Sequence, residues 1–102
     1  MIDFERITGF DWDEGNRTKN LDLHNVADFE AEEILLNSQT VIEPDHEHSQ
    51  QERRWVAYGE TIAGRVLTIV FTLRADRTLI RIISARDMSR KERKEHGQAT
   101  DT

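Results

Sequence analysis

The sequence predicts an α+β domain in which helices cover one small antiparallel β-sheet. Residues 54–86 form three apolar, β-branched segments separated by short polar turns, the pattern of an antiparallel meander. Residues 13–37 show helical spacing and helix-capping residues instead. The chain has no cysteine, which excludes disulfides and thiolate metal ligands. Its apolar runs are far shorter than the ~20 residues that cross a bilayer.

The meander is expected to contain strands at 54–59, 65–74 and 79–86. The last segment has the highest β-propensity, with one leucine and three isoleucines. It also carries Arg81 and Arg86. A guanidinium is costly to bury unless it faces solvent or pairs with an anion. The two arginines therefore indicate either a solvent-facing side of the sheet or an anionic partner.

A short turn after residue 74 allows a trial register for the last two strands. The register pairs Leu73 with Ile80, Thr72 with Arg81, and Phe71 with Ile82. The aliphatic and aromatic pairs then form one apolar face for the helices. Arg81 is expected on the opposite face.

Two short helices, joined near His24, are predicted before the meander. Asp11 or Asp13 can cap the first helix, and Asn25 can end it in a left-handed conformation. Asp28 is the expected N-cap of the second helix. Its predicted apolar face consists of Phe29, Ile34, Leu35 and Leu36.

Short edge strands and a polar helix complete the predicted domain. Residues 1–12 suit one or two strands with a turn at Gly9, and residues 40–43 suit another. Ser89 and Glu92 form a capping box for a C-terminal helix.

We expect a single domain at 1–97 and a flexible tail at 98–102. Because no signal peptide is visible at the start, a cytoplasmic location is expected.

Charge is distributed unevenly along the chain. Residues 1–52 contain three basic and fourteen acidic residues, whereas residues 53–102 contain eleven basic and six acidic ones. The balances of −11 and +5 give the net charge of −6. Such asymmetry can present a local cationic surface to a polyanion. Uneven but functionless surface charge is the simpler alternative.

Several strings resemble the BrnT family of toxins at matching spacing. The most specific are the segment from Ile80 to Arg86 and the Gly64-Arg65-x-Leu67 segment before it. Weaker matches are Phe10-x-Trp12-Asp13-Glu14, Asn20, His24-x-Val26, Ala31-x-Glu33, Asp45, His48-Ser49, Glu52-x-Arg54-Trp55, Gly59, Thr72 and Glu92-Arg93. The resemblance covers residues 10–94.

The resemblance implies a RelE-like fold with two helices packed on one face of the sheet and a C-terminal helix. It implies a type II toxin that cleaves RNA with no metal and no other cofactor. The implied partners are RNA and a BrnA-like antitoxin protein. Operator DNA would be bound only through the antitoxin complex, and no membrane partner is implied.

RNA cleavage by the internal 2′-hydroxyl needs a base, cations that stabilise the phosphorane-like charge, and an acid for the leaving oxygen. Arginine suits the cationic task because it presents paired donors to phosphate oxygens. The candidate catalytic residues are Arg81, Arg65, His24 and Glu52, and the candidate RNA-binding residues are Arg54, Arg74 and Arg86.

Other interpretations of these residues stay open at this point. His24 is a general-base candidate, but it can equally bond the free carbonyls of a helix end. Glu52 can act as the base or orient Arg54. Solvated strand residues or ion pairs would also account for the arginines. This is the preferred interpretation for Arg74, Arg77 and the basic residues of the final helix.

Two alternative functions follow from particular residues. Asn16 and Leu23 stand where the family usually has lysine, which favours a catalytically degenerate module that only binds its antitoxin. His46 and His48 suggest a metal site, but His-x-His supplies only two of the three or four ligands required. A solvated loop is the preferred interpretation of that segment, so no metal ligand is assigned.

Overall fold

The computed structural model describes residues 2–48 and 52–96. Short 3₁₀ turns lie at Phe4–Arg6 and His46–His48. The helices and strands, in chain order, are β1 (Gly9–Phe10), α1 (Glu14–His24), α2 (Asp28–Leu36), β2 (Val41–Pro44), β3 (Trp55–Glu60), β4 (Val66–Arg74), β5 (Leu79–Asp87) and α3 (Arg90–His96). The predicted tail at 98–102 lies outside the described residues.

The five strands form one mixed sheet in the order β1-β5-β4-β3-β2. Strands β2 to β5 are antiparallel, which confirms the predicted meander. The purely antiparallel prediction is wrong at one edge, because β1 pairs in parallel with β5. Gly9 lies within β1 rather than in the expected turn. No hairpin joins β1 to β5, so their direction is set by how the intervening chain packs.

The trial register of the last hairpin is confirmed. Leu73 pairs with Ile80, Thr72 with Arg81, and Phe71 with Ile82. A shift follows between Val70 and Phe71, so that Val70 pairs with Ser84 and one residue of β5 bulges. The bulge keeps Ala85 on the buried face with Ile82, three residues apart instead of two.

The helix ends follow local signals in the sequence. Asp13 caps α1 by accepting a hydrogen bond from the Asn16 amide, at 2.7 Å. Asn25 ends the helix with φ of 54°, the left-handed conformation that was expected. The N-cap of α2 is Ala27 rather than Asp28, which becomes the first helical residue. Its acidic side chain still favours the positive end of the helix.

Helix α2 contributes fewer core residues than its apolar sequence indicates. Ala31, Ile34 and Leu35 are buried against the β3–β5 side chains. Phe29 and Leu36 are 59% and 75% exposed, so the prediction that both face the core is wrong. At about 100° per residue, these two side chains project from the side of the helix opposite the buried three.

Helix α1 protects the outer edge of β5 beyond the end of β1. The Asn16 amide group donates to the Ile82 carbonyl at 2.6 Å, and the Lys19 ammonium donates to the Ile83 carbonyl at 2.6 Å. The buried Asn20 side chain accepts a hydrogen bond from the Ala85 N–H at 3.1 Å. These bonds satisfy groups on the edge of β5 that the short strand β1 does not reach.

The other side of the sheet, which we call the second face, carries Thr68, Val70, Thr72 and Arg74 of β4. These residues alternate with the core residues of the same strand. Helix α3 covers one end of this face, where Glu92 accepts a hydrogen bond from Thr68 at 2.9 Å. The capping box is confirmed: Ser89 N–H donates to the Glu92 carboxylate, and Glu92 N–H donates to the Ser89 hydroxyl.

Candidate active site and its arginines

The Arg65 side chain connects the ends of three elements. It donates to both oxygens of Asp87, at 2.8 and 3.2 Å, just after the family-like string of β5. It also donates to the main-chain oxygens of His24, at 3.0 Å, and Asn25, at 2.6 Å. A longer bond of 3.3 Å reaches the Glu30 carboxylate. These contacts account for all five guanidinium N–H donors.

This cluster of Arg65, Asp87, Glu30 and His24 is electrostatically coupled. The Arg65 hydrogen bond, followed by the charges of Arg65, Arg93 and His24, lowers the pKa of Asp87. Hydrogen bonding to Asp87 raises the pKa of Arg65. His24 is half-buried at the last position of α1. The structure therefore brings together two of the predicted catalytic residues, His24 and Arg65, beside a carboxylate.

Arg81 has a structural partner that its sequence position did not reveal. Arg81 pairs with Thr72 of β4, so its side chain leaves β5 on the second face. Its guanidinium donates to the Asp13 carboxylate at 2.7 Å. It also forms an ion pair with Asp11 at 3.5 Å. The Arg81 hydrogen bond is the main cause that lowers the pKa of Asp13. Because Asp13 also caps α1, Arg81 fastens the start of this helix to β5.

The predicted RNA-binding arginine at the other end of β5 is also paired. Arg86 donates to both oxygens of Glu92, at 2.7 and 2.9 Å. Arg86, together with Ser89 and Thr68, lowers the pKa of Glu92 to about 2, against an opposing effect of burial. This bidentate pair fixes α3 to the second face.

Arg74 and Glu52 form an ion pair beside the turn that joins β4 to β5. The predicted base candidate Glu52 thus binds Arg74, and Arg54 immediately precedes β3, which begins at Trp55. Glu52 and Arg74 lie far from His24 along the sheet, because β4 runs from the Arg65 end to the Arg74 end. The four predicted catalytic residues therefore lie in three places: His24 with Arg65, Arg81 with Asp13, and Glu52 with Arg74.

Two acidic residues at these places were absent from the sequence-based candidates. Asp87 binds Arg65 and lies within electrostatic range of His24, while Glu92 binds Arg86. Glu92 was recognisable only as half of a capping box. Asp87 follows the family-like string directly, and its position after Arg86 is the signal that could have identified it.

The described residues contain no group of three histidine or acidic side chains that could hold a metal ion. His46 lies in a short 3₁₀ turn on the surface. Across residues 2–48 and 52–96, no helix combines the length and hydropathy that a membrane span requires.

Glu92→Gln is expected to destabilise the protein at neutral pH, and the difference from the unmodified protein should shrink in acid. The folded state lowers the pKa of Glu92 from 4.5 to about 2. Its stabilising effect is therefore complete above pH ~4.5 and lost as the pH falls through ~2. Denaturant unfolding at pH 6, 4 and 2.5 measures this. Glu95→Gln, on the exposed side of α3, is the control, and a gap independent of pH would contradict the prediction.

Comparisons with known proteins agree with the resemblance in the sequence. A family model described as "Ribonuclease toxin, BrnT, of type II toxin-antitoxin system" matches residues 12–92. The crystal structure of the Brucella abortus ribonuclease toxin BrnT superposes with a TM-score of 0.62 at 21% identity, covering 81% of this chain and 99% of that one. No curated protein matches the sequence. Because the family model spans most of the described residues, the chain belongs to the BrnT family of ribonuclease toxins of type II toxin–antitoxin systems.

Proposed function

We propose that this protein is a metal-independent endoribonuclease that cleaves RNA through attack by the internal 2′-hydroxyl. The observation that carries the proposal is His24 beside the Arg65–Asp87 ion pair. Histidine is the side chain whose unperturbed pKa lies nearest neutrality. Arg65 holds the main-chain oxygen of His24, which fixes the end of α1 without occupying the imidazole.

In the proposed reaction, the His24 imidazole removes the proton of the 2′-hydroxyl. The 2′-oxygen then bonds to the adjacent phosphorus, and the bond from phosphorus to the 5′-oxygen breaks. The departing 5′-oxygen takes up a proton from water, and the His24 imidazolium returns its proton to water, so the products are a 2′,3′-cyclic phosphate and a 5′-hydroxyl. No oxidant, metal or cofactor enters this balance.

Arg65 is assigned a positioning role in this proposal. All five of its N–H donors are engaged within the protein, so no donor remains for a phosphate. Arg81 bonds Asp13 at the start of α1, whereas His24 ends this 11-residue helix, so the two lie about 16 Å apart along it. In this proposal Arg81 therefore binds a neighbouring phosphate of the same RNA strand instead of the phosphate that is cleaved. We assign Glu52 to orienting Arg74, with general-base catalysis as its alternative role.

Arg54, Arg74 and Arg86 are proposed to contact RNA phosphates flanking the cleaved bond. Arg81 and Asp87 are six residues apart on β5, a separation of about 20 Å at the usual strand rise. A bound strand that reaches both must therefore span several nucleotides. The carboxylates on Arg74 and Arg86 compete with phosphate and are expected to weaken binding.

We also propose a RelE-like arrangement of α1 and α2 on one face, and a BrnA-like antitoxin as the partner that neutralises the toxin in the cytoplasm. In this proposal, operator DNA is bound only through the toxin–antitoxin complex.

A second candidate is a degenerate member that binds its antitoxin and cleaves nothing. The specific observation in its favour is that Arg65, Arg74, Arg81 and Arg86 all form ion pairs with carboxylates of the same chain. The absence of lysine at positions 16 and 23 agrees with it: Asn16 is engaged with β5.

RNA cleavage in the presence of EDTA distinguishes the two candidates. The purified protein is expected to cut single-stranded RNA at an unchanged rate with excess chelator and to leave 2′,3′-cyclic phosphate ends. A 2′-O-methyl substrate should resist, because it lacks the attacking hydroxyl. Loss of activity with EDTA would contradict metal independence. Absence of cleavage under all conditions, combined with antitoxin binding, would establish the degenerate alternative.

A further inference from the structure

Helix α3 carries cations that the rest of the fold does not use. Arg90, Lys91 and Lys94 are exposed, and none of them has an ion pair or a side-chain hydrogen bond with any residue in 2–48 or 52–96. This contrasts with Arg65, Arg81 and Arg86, each of which is held by a carboxylate. The free positive charge of the described surface is therefore concentrated on this helix.

The orientation of α3 is fixed by two contacts with the second face. Glu92 binds Arg86 and Thr68, and the His96 ring stacks on Tyr58 with centroids 3.8 Å apart. At about 100° per residue, Arg90 and Lys94 then project away from the sheet, and Lys91 lies at one flank. The outward side of a firmly attached helix thus presents a row of cations.

Helix stability does not explain the cations at the start of α3, although it does favour Lys94 in the last turn. Arg90 and Lys91 occupy the first turn, where the helix dipole disfavours positive charge. No residue of α3 is buried, so their aliphatic stems add nothing to the core. If Arg90 and Lys91 were merely solvated surface charges, nothing would account for their unfavourable position in the first turn.

The surrounding charge makes this location selective. Helix α3 has four basic and two acidic residues, a balance of +2. Ten basic and eighteen acidic residues remain elsewhere in the sequence, a balance of −8. The net charge of the rest of the chain therefore disfavours a polyanion, whereas the outward side of α3 attracts it.

We propose that Arg90, Lys91 and Lys94 form the principal contact with the phosphate backbone of RNA, on the outward side of α3. This proposal rests on the proposed ribonuclease function and assigns the backbone contact to a helix outside the strand arginines. The strand arginines near the cleaved bond then need to contact only a few phosphates, and their ion pairs can remain largely intact during initial binding.

The test is binding of a short single-stranded 2′-O-methyl RNA, which cannot be cleaved, over a range of salt concentrations. The triple variant Arg90→Gln, Lys91→Gln, Lys94→Gln is expected to bind about tenfold or more weakly at low salt. The slope of log affinity against log salt should fall by about 2, since each lost contact with a single strand removes about 0.7.

The control is Arg6→Gln, Arg53→Gln, Arg77→Gln, which removes the same charge from exposed positions elsewhere, two of which contact Asp76 and Trp55. It should leave the slope nearly unchanged. A second variant, Arg90→Lys with Lys91→Arg and Lys94→Arg, should bind as the unmodified protein does. Far-UV circular dichroism confirms that each variant is folded.

An unchanged affinity and slope in the triple variant would overturn the assignment of α3, while RNA cleavage by the unmodified protein would leave the proposed function intact. An equal loss of affinity and slope in the control would also overturn it, because the effect would then depend only on the net charge of the protein. Tighter binding of poly-glutamate than of RNA would overturn it in favour of an acidic protein partner. No RNA binding by the unmodified protein would overturn both proposals.

Discussion

Replacement of Phe71 by alanine is expected to lower the free energy of unfolding by about 3–5 kcal/mol. The Phe71 ring is fully buried at the centre of β4 and stacks on Trp55, with ring centroids 5.9 Å apart. Ile82 lies opposite it in the confirmed register. Truncation leaves a cavity between the sheet and α2 that these neighbours cannot fill without moving the backbone. Denaturant unfolding followed by Trp fluorescence measures the loss.

Phe29→Ala is the matched control, because the same side chain is removed from an exposed position on α2. We expect a change within about 0.5 kcal/mol, typical of surface substitutions. Since the total stability of a domain is only ~5–15 kcal/mol, Phe71→Ala can be largely unfolded. Phe71→Leu then provides a milder loss that remains measurable. Equal effects of the two alanine substitutions would show that α2 is oriented differently.

Replacement of His24 by alanine is expected to reduce RNA cleavage by about 10²–10⁴-fold, the usual contribution of a general base. The substitution isolates the imidazole, because Arg65 bonds the main-chain oxygen of His24 and not its ring. The ion pair of Arg65 with Asp87 should therefore persist, and stability should change little. Initial rates on a fluorescent RNA in EDTA, together with unfolding midpoints, test both statements.

His46→Ala is the control for this measurement, since His46 is an exposed histidine in a surface turn away from the Arg65 cluster. Its activity should match that of the unmodified protein. Full activity of His24→Ala would remove His24 as the base, and Glu52→Gln would then test the remaining candidate. Arg81→Ala is expected to weaken cleavage through the loss of a phosphate contact, but it also releases Asp13 at the start of α1. A matching fall in stability would show how much of its effect is structural.

The sequence predicted the meander and its register because both depend on signals that lie close together in the chain. The alternation of β4 and the short turn before Leu79 are sufficient to pair Phe71 with Ile82. The caps at Asn25 and at Ser89 are equally local, since each bond closes within a few residues. The segments that resemble the BrnT family also imply a small antiparallel sheet.

The candidate site was less predictable because its bonds join distant parts of the chain. Asp13 and Arg81 are separated by 68 positions, and Arg65 and His24 by 41. No spacing rule indicates such pairs, so the sequence alone gives no structural reason for an arginine at position 81 of a strand. In the folded protein, Arg81 donates to the carboxylate of Asp13 at the start of α1, and this ion pair is the structural reason.

By itself, then, the sequence determined the α+β class, the antiparallel core of the sheet, the main caps and the toxin family. Only the tertiary structure decided the parallel pairing of β1, the exposure of Phe29 and the carboxylate that each strand arginine binds. The physical reason is range: periodicity and capping act over a few residues, whereas ion pairs depend on where folded elements meet. The outward cations of α3 are distinctive because the tertiary structure pairs Arg65, Arg81 and Arg86 with carboxylates.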